Sequence, residues 1–245
     1  MTAPVFFAAR ATMSAGARVV LDGAEGRHAA GSRRLGVGET VLLTDGAGLA
    51  ATASVASAAP DHLVLDIREL HQHQSPALRL TVVQALAKGD RGELAVQTLT
   101  EVGVDRIVPW AAARSVTRWR DERGARAWQG WQSTAREAAK QSRRFWWPQI
   151  DPLAGTNEIS VLLASATLAV VLDEQSPTPL TELVVPSAGE VALVVGPEGG
   201  VAADEMAAFT AAGAKAVRLG PTVLRTSTAG TVAAALVLSR SERWQ

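Results

Sequence analysis

The residues of this chain best suited to chemistry sit in two turns rich in glycine and proline. The first is Val195-Gly-Pro-Glu-Gly-Gly200 and the second is Leu219-Gly-Pro-Thr-Val-Leu-Arg-Thr-Ser-Thr-Ala229. The first follows a short apolar run, Val191–Val195, the second a short strand, Ala216–Leu219, and each leads into a helical pattern. Turns at the C-terminal ends of buried parallel strands are where open α/β sheets bind ligands. Glycine allows close approach to the backbone and leaves N–H groups free, and Pro197 and Pro221 stiffen both turns. The first turn is not G-x-x-x-x-G-K-[ST], no lysine follows it, and it is not G-x-G-x-x-G, so nucleoside triphosphates and dinucleotides are disfavoured. Stiff turns with exposed amides suit a flat neutral ring such as adenine. One such turn is adequately explained as a tight strand–helix connection. Two, with Arg225, Thr226 and Thr228 in the second, point to a site.

The elements that must position these turns follow an alternating pattern. Leu78–Leu86, Arg106–Trp110, Leu168–Leu172, Val191–Val195 and Ala216–Leu219 read as strands, and Gly92–Val102, Ala125–Ser142, Ala203–Ala212 and Ser227–Arg240 as helices. The first helix stops at Gly103, and the third carries Asp204 and Glu205 in its first turn with Gly213 after its end. Such alternation predicts a parallel sheet with helices on both faces. Before it, Val5–Ala8, Ala17–Leu21, Thr40–Thr44, Ala50–Ala56 and Leu63–Leu70 read as five short strands, with a hairpin signal at Asp45-Gly-Ala-Gly48. Their spacing predicts a small β-barrel. The polar stretch His71-Gln-His-Gln-Ser-Pro76 reads as a linker, because His71 and His73 have no further metal ligands nearby. The division expected is residues 1–74 and 75–245.

Composition narrows the class. With 245 residues and 47% apolar content, the chain can build a full core. It has no cysteine, which removes disulfides and thiolate chemistry. Its long uncharged apolar runs, Ile159–Leu172 and Thr226–Ser239, are too short to span a bilayer. No basic region precedes the first apolar residues, so a cytoplasmic protein without a signal peptide is expected. Net charge is zero, yet between Arg106 and Arg144 nine arginines and Lys140 face only Asp121, Glu122 and Glu137. Arg10, Arg18, Arg27, Arg33 and Arg34 add to the basic character near the N-terminus. A polyanionic partner and a solvated helix face both fit this distribution. Trp119, Trp128, Trp131, Trp146 and Trp147 lie in the same zone. Trp128 and Trp131, three residues apart on a helix, read as packing, and Trp146 and Trp147 as candidates for stacking on bases.

The paired turns resemble the signature of the bacterial 16S ribosomal RNA uridine-N3 methyltransferases, members of the knotted SPOUT superfamily. Lys88-Gly-Asp-Arg-Gly-Glu93 with Gln97, Thr100-Glu-Val-Gly103 and Pro109 is similar to that family's strand–helix–strand opening, and Glu137-Ala-Ala-Lys-Gln-Ser-Arg143 with Pro148 to its central helix. His28, Arg34 and Thr44-Asp-Gly46 fit its N-terminal barrel. The resemblance implies an α/β fold: a C-terminal trefoil-knotted SPOUT methyltransferase domain with a small N-terminal PUA-like β-barrel that binds RNA. Knots are otherwise nearly absent from proteins. It also implies a homodimer with the active site at the subunit interface, and S-adenosylmethionine bound without metal by three loops. Those would be Leu172 and Glu174 in the loop that follows the strand Leu168–Leu172; Gly196, Pro197, Glu198, Gly199 and Gly200; and Leu219, Gly220, Leu224, Thr226, Ser227, Thr228 and Ala229. Ser227 and Gly230 depart from the family, which often has an acid and a proline there. Serine is a good helix cap, so the fold need not suffer.

Methylating uridine N3 requires loss of the imide proton and stabilisation of negative charge on the uracil carbonyls. Arg225 is the candidate for that stabilisation, the alternative being a structural salt bridge. Glu198 is the candidate proton acceptor, the alternative being hydrogen bonds to its own turn's amides. Arg10, Arg33, Arg34, Arg114, Arg136 and Arg143 are the candidates for contact with 16S rRNA or the small ribosomal subunit. Two other readings remain open: a non-catalytic RNA-binding assembly factor, and a knotted methyltransferase with another RNA target.

Overall fold

Residues 3–32 and 34–244 are described by the structure, a computed structural model. The chain divides into two units, Met1–Ser75 with Ala139–Trp147, and Pro76–Ala138 with Pro148–Gln245.

In the first unit, five strands form one sheet in the order β1-β3-β4-β5-β2. They are β1 (Val5–Phe7), β2 (Arg18–Leu21), β3 (Thr40–Thr44), β4 (Leu49–Ala58) and β5 (Leu63–Gln72). β1 runs parallel to β3, and the other neighbours are antiparallel. Alternate residues such as Phe6, Leu21, Val41, Leu43, Leu65 and Ile67 form the core. No ladder joins β1 to β2 among the described residues, so the expected barrel is a sheet not closed by hydrogen bonds. A short helix α1 (Gly23–Arg27) and a π-turn (His28–Ser32) were not anticipated, since so short a Gly/Ala-rich stretch shows no helical period.

Two sequence expectations fail here. β5 runs on through His71, paired with Ala50, and His73 stacks on Phe145 with ring centroids 4.5 Å apart. The first half of the supposed linker is therefore strand and packed ring, while the boundary between the two units, after Ser75, falls in its second half. Trp146 and Trp147 are not free for bases. They cover the β3–β4 turn, where Gly46 and Gly48 have φ of 74° and 91°. A Cβ on Gly46 would fall 2.6 Å from the Trp147 ring, and one on Gly48 2.6 Å from the Trp146 ring. Glycine is required there by both conformation and contact.

The second unit is a six-stranded, wholly parallel sheet in the order β11-β9-β10-β6-β7-β8. The strands are β6 (Leu78–Ala85), β7 (Arg106–Trp110), β8 (Gln149–Ile150), β9 (Leu168–Leu172), β10 (Gly189–Val195) and β11 (Lys215–Val217). The helices are α2 (Arg91–Val102), α3 (Asp121–Gln141), α4 (Thr156–Ser165), α5 (Ala203–Ala211) and α6 (Thr226–Leu238). Alternation along each strand divides the core into two layers. Leu80 and Val82 pack with Leu99 of α2 and Ala233 and Val237 of α6. Val83 and Ala85 pack with Ile159 and Leu163 of α4 and Phe209 of α5. Trp131 is buried in the first layer, as its spacing from Trp128 suggested. α4 was missed, although Gly155 and Glu158 mark its start, with the Glu158 carboxylate accepting from the Gly155 N–H at 3.1 Å.

The small residues of α6 are consumed inside the chain. Ala233 and Ala234 are wholly buried. A Cβ on Gly230 would sit 3.1 Å from Val195 and 3.2 Å from Leu99, and the Thr98 and Thr231 hydroxyls meet at 2.7 Å. This face holds α6 against α2 and the sheet, so it cannot be the surface offered to a second copy.

Candidate functional site: the cavity at the ends of three strands

β9, β10 and β11 end side by side at Leu172, Val195 and Val217, and the loops beyond them enclose a cavity of about 790 Å³. That is a volume suited to a small ligand. The chain reaches β9 only after completing β6 to β8 on the opposite side of β10. The cavity thus lies where the strand order reverses, the expected place for a ligand.

Most of the cofactor positions named from sequence line this one cavity. Leu172 and Glu174 come from the first loop and Gly196 to Gly200 from the second. Leu219, Gly220, Leu224, Thr226 and Ala229 come from the third, and Arg225 and Glu198 stand among them. Ser227 and Thr228 do not line it. α6 starts at Thr226, and each residue turns the next side chain by about 100°. Ser227 is buried as the second helical residue, and the Thr228 hydroxyl bonds the Arg225 carbonyl at 3.2 Å. The cap expected at Ser227 is not made: Arg225 is the residue before the first turn, no side chain caps the helix, and the Arg225 carbonyl accepts the first helical bonds from Thr228 and Ala229 N–H at 2.9 Å.

The first turn is held tightly. The Gly200 N–H bonds the Pro197 carbonyl at 2.9 Å, and Gly200 has a φ of 74°. A Cβ on Gly196 would meet Val201 at 3.0 Å, and one on Gly199 would meet Arg114 at 3.2 Å. A Cβ on Gly220 would project into open space, so the chain itself makes no demand for glycine there. The cradle is left clear for a ligand.

The two candidate reactive groups differ in how they are held. Glu198 accepts from the Lys88 N–H at 3.2 Å and lies 3.6 Å from the Arg91 guanidinium. It clamps the loop entering α2, not the amides of its own turn as the alternative had it. The Arg225 side chain is exposed at the cavity, and among the described residues its guanidinium has no ion pair. The structural salt bridge considered for it is absent from that set.

The arginines expected to meet RNA are dispersed. Arg114 lines the cavity and donates to the Gly199 carbonyl at 3.1 Å. Its segment is fastened by buried Glu205, which accepts from the Ala113 N–H at 2.7 Å. Arg10 bonds Asp45 at 2.8 Å and Gln72 at 2.9 Å. Arg34, Arg136 and Arg143 are exposed, and Arg33 lies outside the described residues. The cavity also includes Thr222 and Val223, which lie in the second ligand turn but were not singled out, and Arg91, Asp173, Gln175 and Met206, none of them a cofactor candidate from sequence. Asp173 and Gln175 were within reach, since they immediately follow a strand end. Arg91 and Met206 come from other elements, which no local pattern connects. Among the described residues no His, Asp and Glu cluster could hold a metal, and no helix is long and apolar enough to cross a membrane.

Comparison with known proteins fits this geometry. Residues 73–238 match the RNA methyltransferase domain family, and residues 21–68 match the RNA methyltransferase PUA domain family. A Mycobacterium bovis protein named ribosomal RNA small subunit methyltransferase E is 43% identical over 94% of this chain and 89% of its own length. The chain belongs to the ribosomal RNA small subunit methyltransferase E family. A solved structure of that methyltransferase from Neisseria gonorrhoeae, bound to S-adenosyl methionine, is 27% identical. It superposes with a TM-score of 0.86 over 97% of this chain and 98% of that one. A Legionella pneumophila methyltransferase solved with the same cofactor shares the fold, with a TM-score of 0.90 at 24% identity over 98% of this chain and 99% of that one. Family membership accounts for both units at once, a PUA-like module and a methyltransferase module.

Proposed function

We propose that this protein transfers a methyl group from S-adenosylmethionine to N3 of a uridine in 16S ribosomal RNA. The observation that carries the reading is the cavity where β9, β10 and β11 end, with the Arg225 guanidinium exposed there without an ion pair among the described residues and backbone-lined turns on two sides. The cofactor in the N. gonorrhoeae relative supports the same ligand here. The clear space at Gly220 and the closely braced turn at Gly196 to Gly200 fit a ligand held by main-chain groups. Bound there, the cofactor supplies an electrophilic methyl on a sulfonium sulfur.

The chain's own residues do the rest. Alignment of the two reactants contributes much of the rate in such a reaction. Arg225, with no ion pair among the described residues, is placed to stabilise the charge that grows on the uracil oxygens once the imide proton has passed to an acceptor, Glu198 directly or through water. Glu198, through Lys88 and Arg91, also keeps the α2 entrance against the first turn. N3 lies on the Watson–Crick edge, so the uridine must be unpaired or flipped from its stack. The family resemblance further supports a trefoil knot formed by threading of residues 219–229, action in the cytoplasm where ribosomes are, and a homodimer. Leu94 of α2 and Val232 of α6 are exposed, at 45% and 38%, and offer an apolar surface for a second copy.

Calorimetry with S-adenosylmethionine in excess chelator tests the cofactor. Binding is expected, and its absence returns the protein to a non-catalytic assembly factor. Mapping the methylated nucleotide on small-subunit RNA tests the target. Methyl at uridine N3 is expected, and methyl elsewhere, or on transfer RNA, selects the reading of a knotted enzyme with another substrate.

A further inference from the structure

Gln84 is wholly buried near the end of β6, level with Val195 of β10 and Pro109 of β7. It does not line the cavity. Its carboxamide nitrogen donates to Thr226 Oγ1 at 3.0 Å, and reaches the carbonyl oxygens of Ala85 at 3.2 Å and Thr226 at 3.4 Å. Thr226 Oγ1 in turn donates to the Gly196 carbonyl at 2.8 Å. A hydroxyl has a single hydrogen, so once it is given to Gly196 the oxygen can only accept from Gln84. The relay therefore has a direction, from Gln84 through Thr226 to Gly196.

That direction also fixes the amide's orientation. With the nitrogen facing three acceptors, Gln84 Oε1 is buried without a hydrogen-bond partner among the described residues. A buried carbonyl left unpaired works against stability, and an apolar side chain of similar volume would remove it. Folding alone does not account for glutamine here, whereas the position of the relay does. Gly196 opens the first ligand turn. Thr226 begins α6 and directly follows Arg225. The relay fastens one turn to the other.

We propose that Gln84 is a positioning residue for methyl transfer, orienting the Thr226 hydroxyl onto Gly196 and so setting Arg225 relative to the first ligand turn. The inference rests on the methyltransferase reading above. It gives Gln84 no contact with cofactor or RNA, and its whole effect passes through Thr226.

The test compares Gln84→Met, Gln84→Glu, Thr226→Val and the Gln84→Met/Thr226→Val double variant in the full-length protein. Melting temperature, S-adenosylmethionine affinity by calorimetry, kcat and KM for RNA are measured for each. Gln84→Met is expected to keep its melting temperature and RNA KM while kcat falls about tenfold or more, the scale of a small misplacement of reacting groups. Cofactor affinity is expected to fall with it. Gln84→Glu is expected to lose kcat further as pH rises, because burial favours the protonated carboxyl and only the carboxylate accepts the Thr226 hydrogen and draws it away from Gly196. The double variant is expected to be no slower than Thr226→Val alone, as for two members of one chain. Wild-type kcat and cofactor affinity in Gln84→Met overturn the proposal, as do losses that add in full. Thr226→Val breaks the relay from its other end, so if Gln84→Met does not fold, a fully active Thr226→Val overturns it equally. If the wild-type protein neither binds S-adenosylmethionine nor methylates RNA, the methyltransferase reading fails. If it does both and the variants match it, only the role of Gln84 fails.

Discussion

Arg225 stands out at the level of single residues because nothing in the described chain holds its guanidinium. A side chain with no structural partner can be removed at little cost to folding, so its loss should be read in the chemistry. Arg225→Ala is expected to lower kcat by on the order of a hundredfold or more, with unchanged melting temperature and near-normal cofactor affinity. Single-turnover kinetics and calorimetry separate these, and a variant with wild-type kcat would remove Arg225 from the mechanism. Its candidacy was legible in the sequence, as an arginine followed by three hydroxyl residues in a second ligand-type turn, with a structural salt bridge as the alternative. The bonding of Glu198 was not legible. Its partners, Lys88 and Arg91, lie over a hundred residues away along the chain, and no local pattern reveals which loop a carboxylate will reach.

Among the elements, most of the periodic helices and even the short strands β1, β2 and β11 were read correctly, while α4, α1 and β8 were missed. α2 ends at Gly103 with a φ of 112°, as a glycine after the last apolar position predicts. By contrast α1 has five residues and β8 two, too few for any period to emerge. α6 shows a subtler limit. Its glycine and alanines announced close helix packing, but small residues do not say whether the neighbour is another chain or one's own α2. Beyond α6, Arg243 returns to the sheet and pairs with buried Asp105 at 2.6 Å while also bonding the Gly103 carbonyl at 2.8 Å. Asp105 in turn accepts from the Leu80 N–H at 2.8 Å. Arg243→Ala breaks this buried ion pair and is expected to cost about 3 kcal/mol. In a chain of this size this corresponds to a melting temperature lower by on the order of 10 °C. A thermal scan showing less than a third of that shift would mean the C-terminal residues do not brace the sheet.

For the whole molecule, the proposals concern partners. Leu94→Arg with Val232→Arg places charge on the exposed apolar surface of α2 and α6. Light scattering should then report a monomer where the wild type is a dimer, with methyl transfer lost if the site lies at the interface. A dimer that survives both changes puts the interface elsewhere. For RNA, each of Arg34 and Arg143 replaced by alanine should reduce the slope of log affinity against log salt by about one, with cofactor binding untouched. Unchanged slopes would mean that the first unit does not touch the phosphate backbone. Both sheets also end in very short edges, three and four residues at β1 and β2, three and two at β11 and β8. Long open edges are templates on which further chains add as strands. Edges this short give an incoming strand almost no ladder to extend, so a folded chain is poorly equipped to seed fibrous aggregation even at the high concentrations of an overexpressing cell.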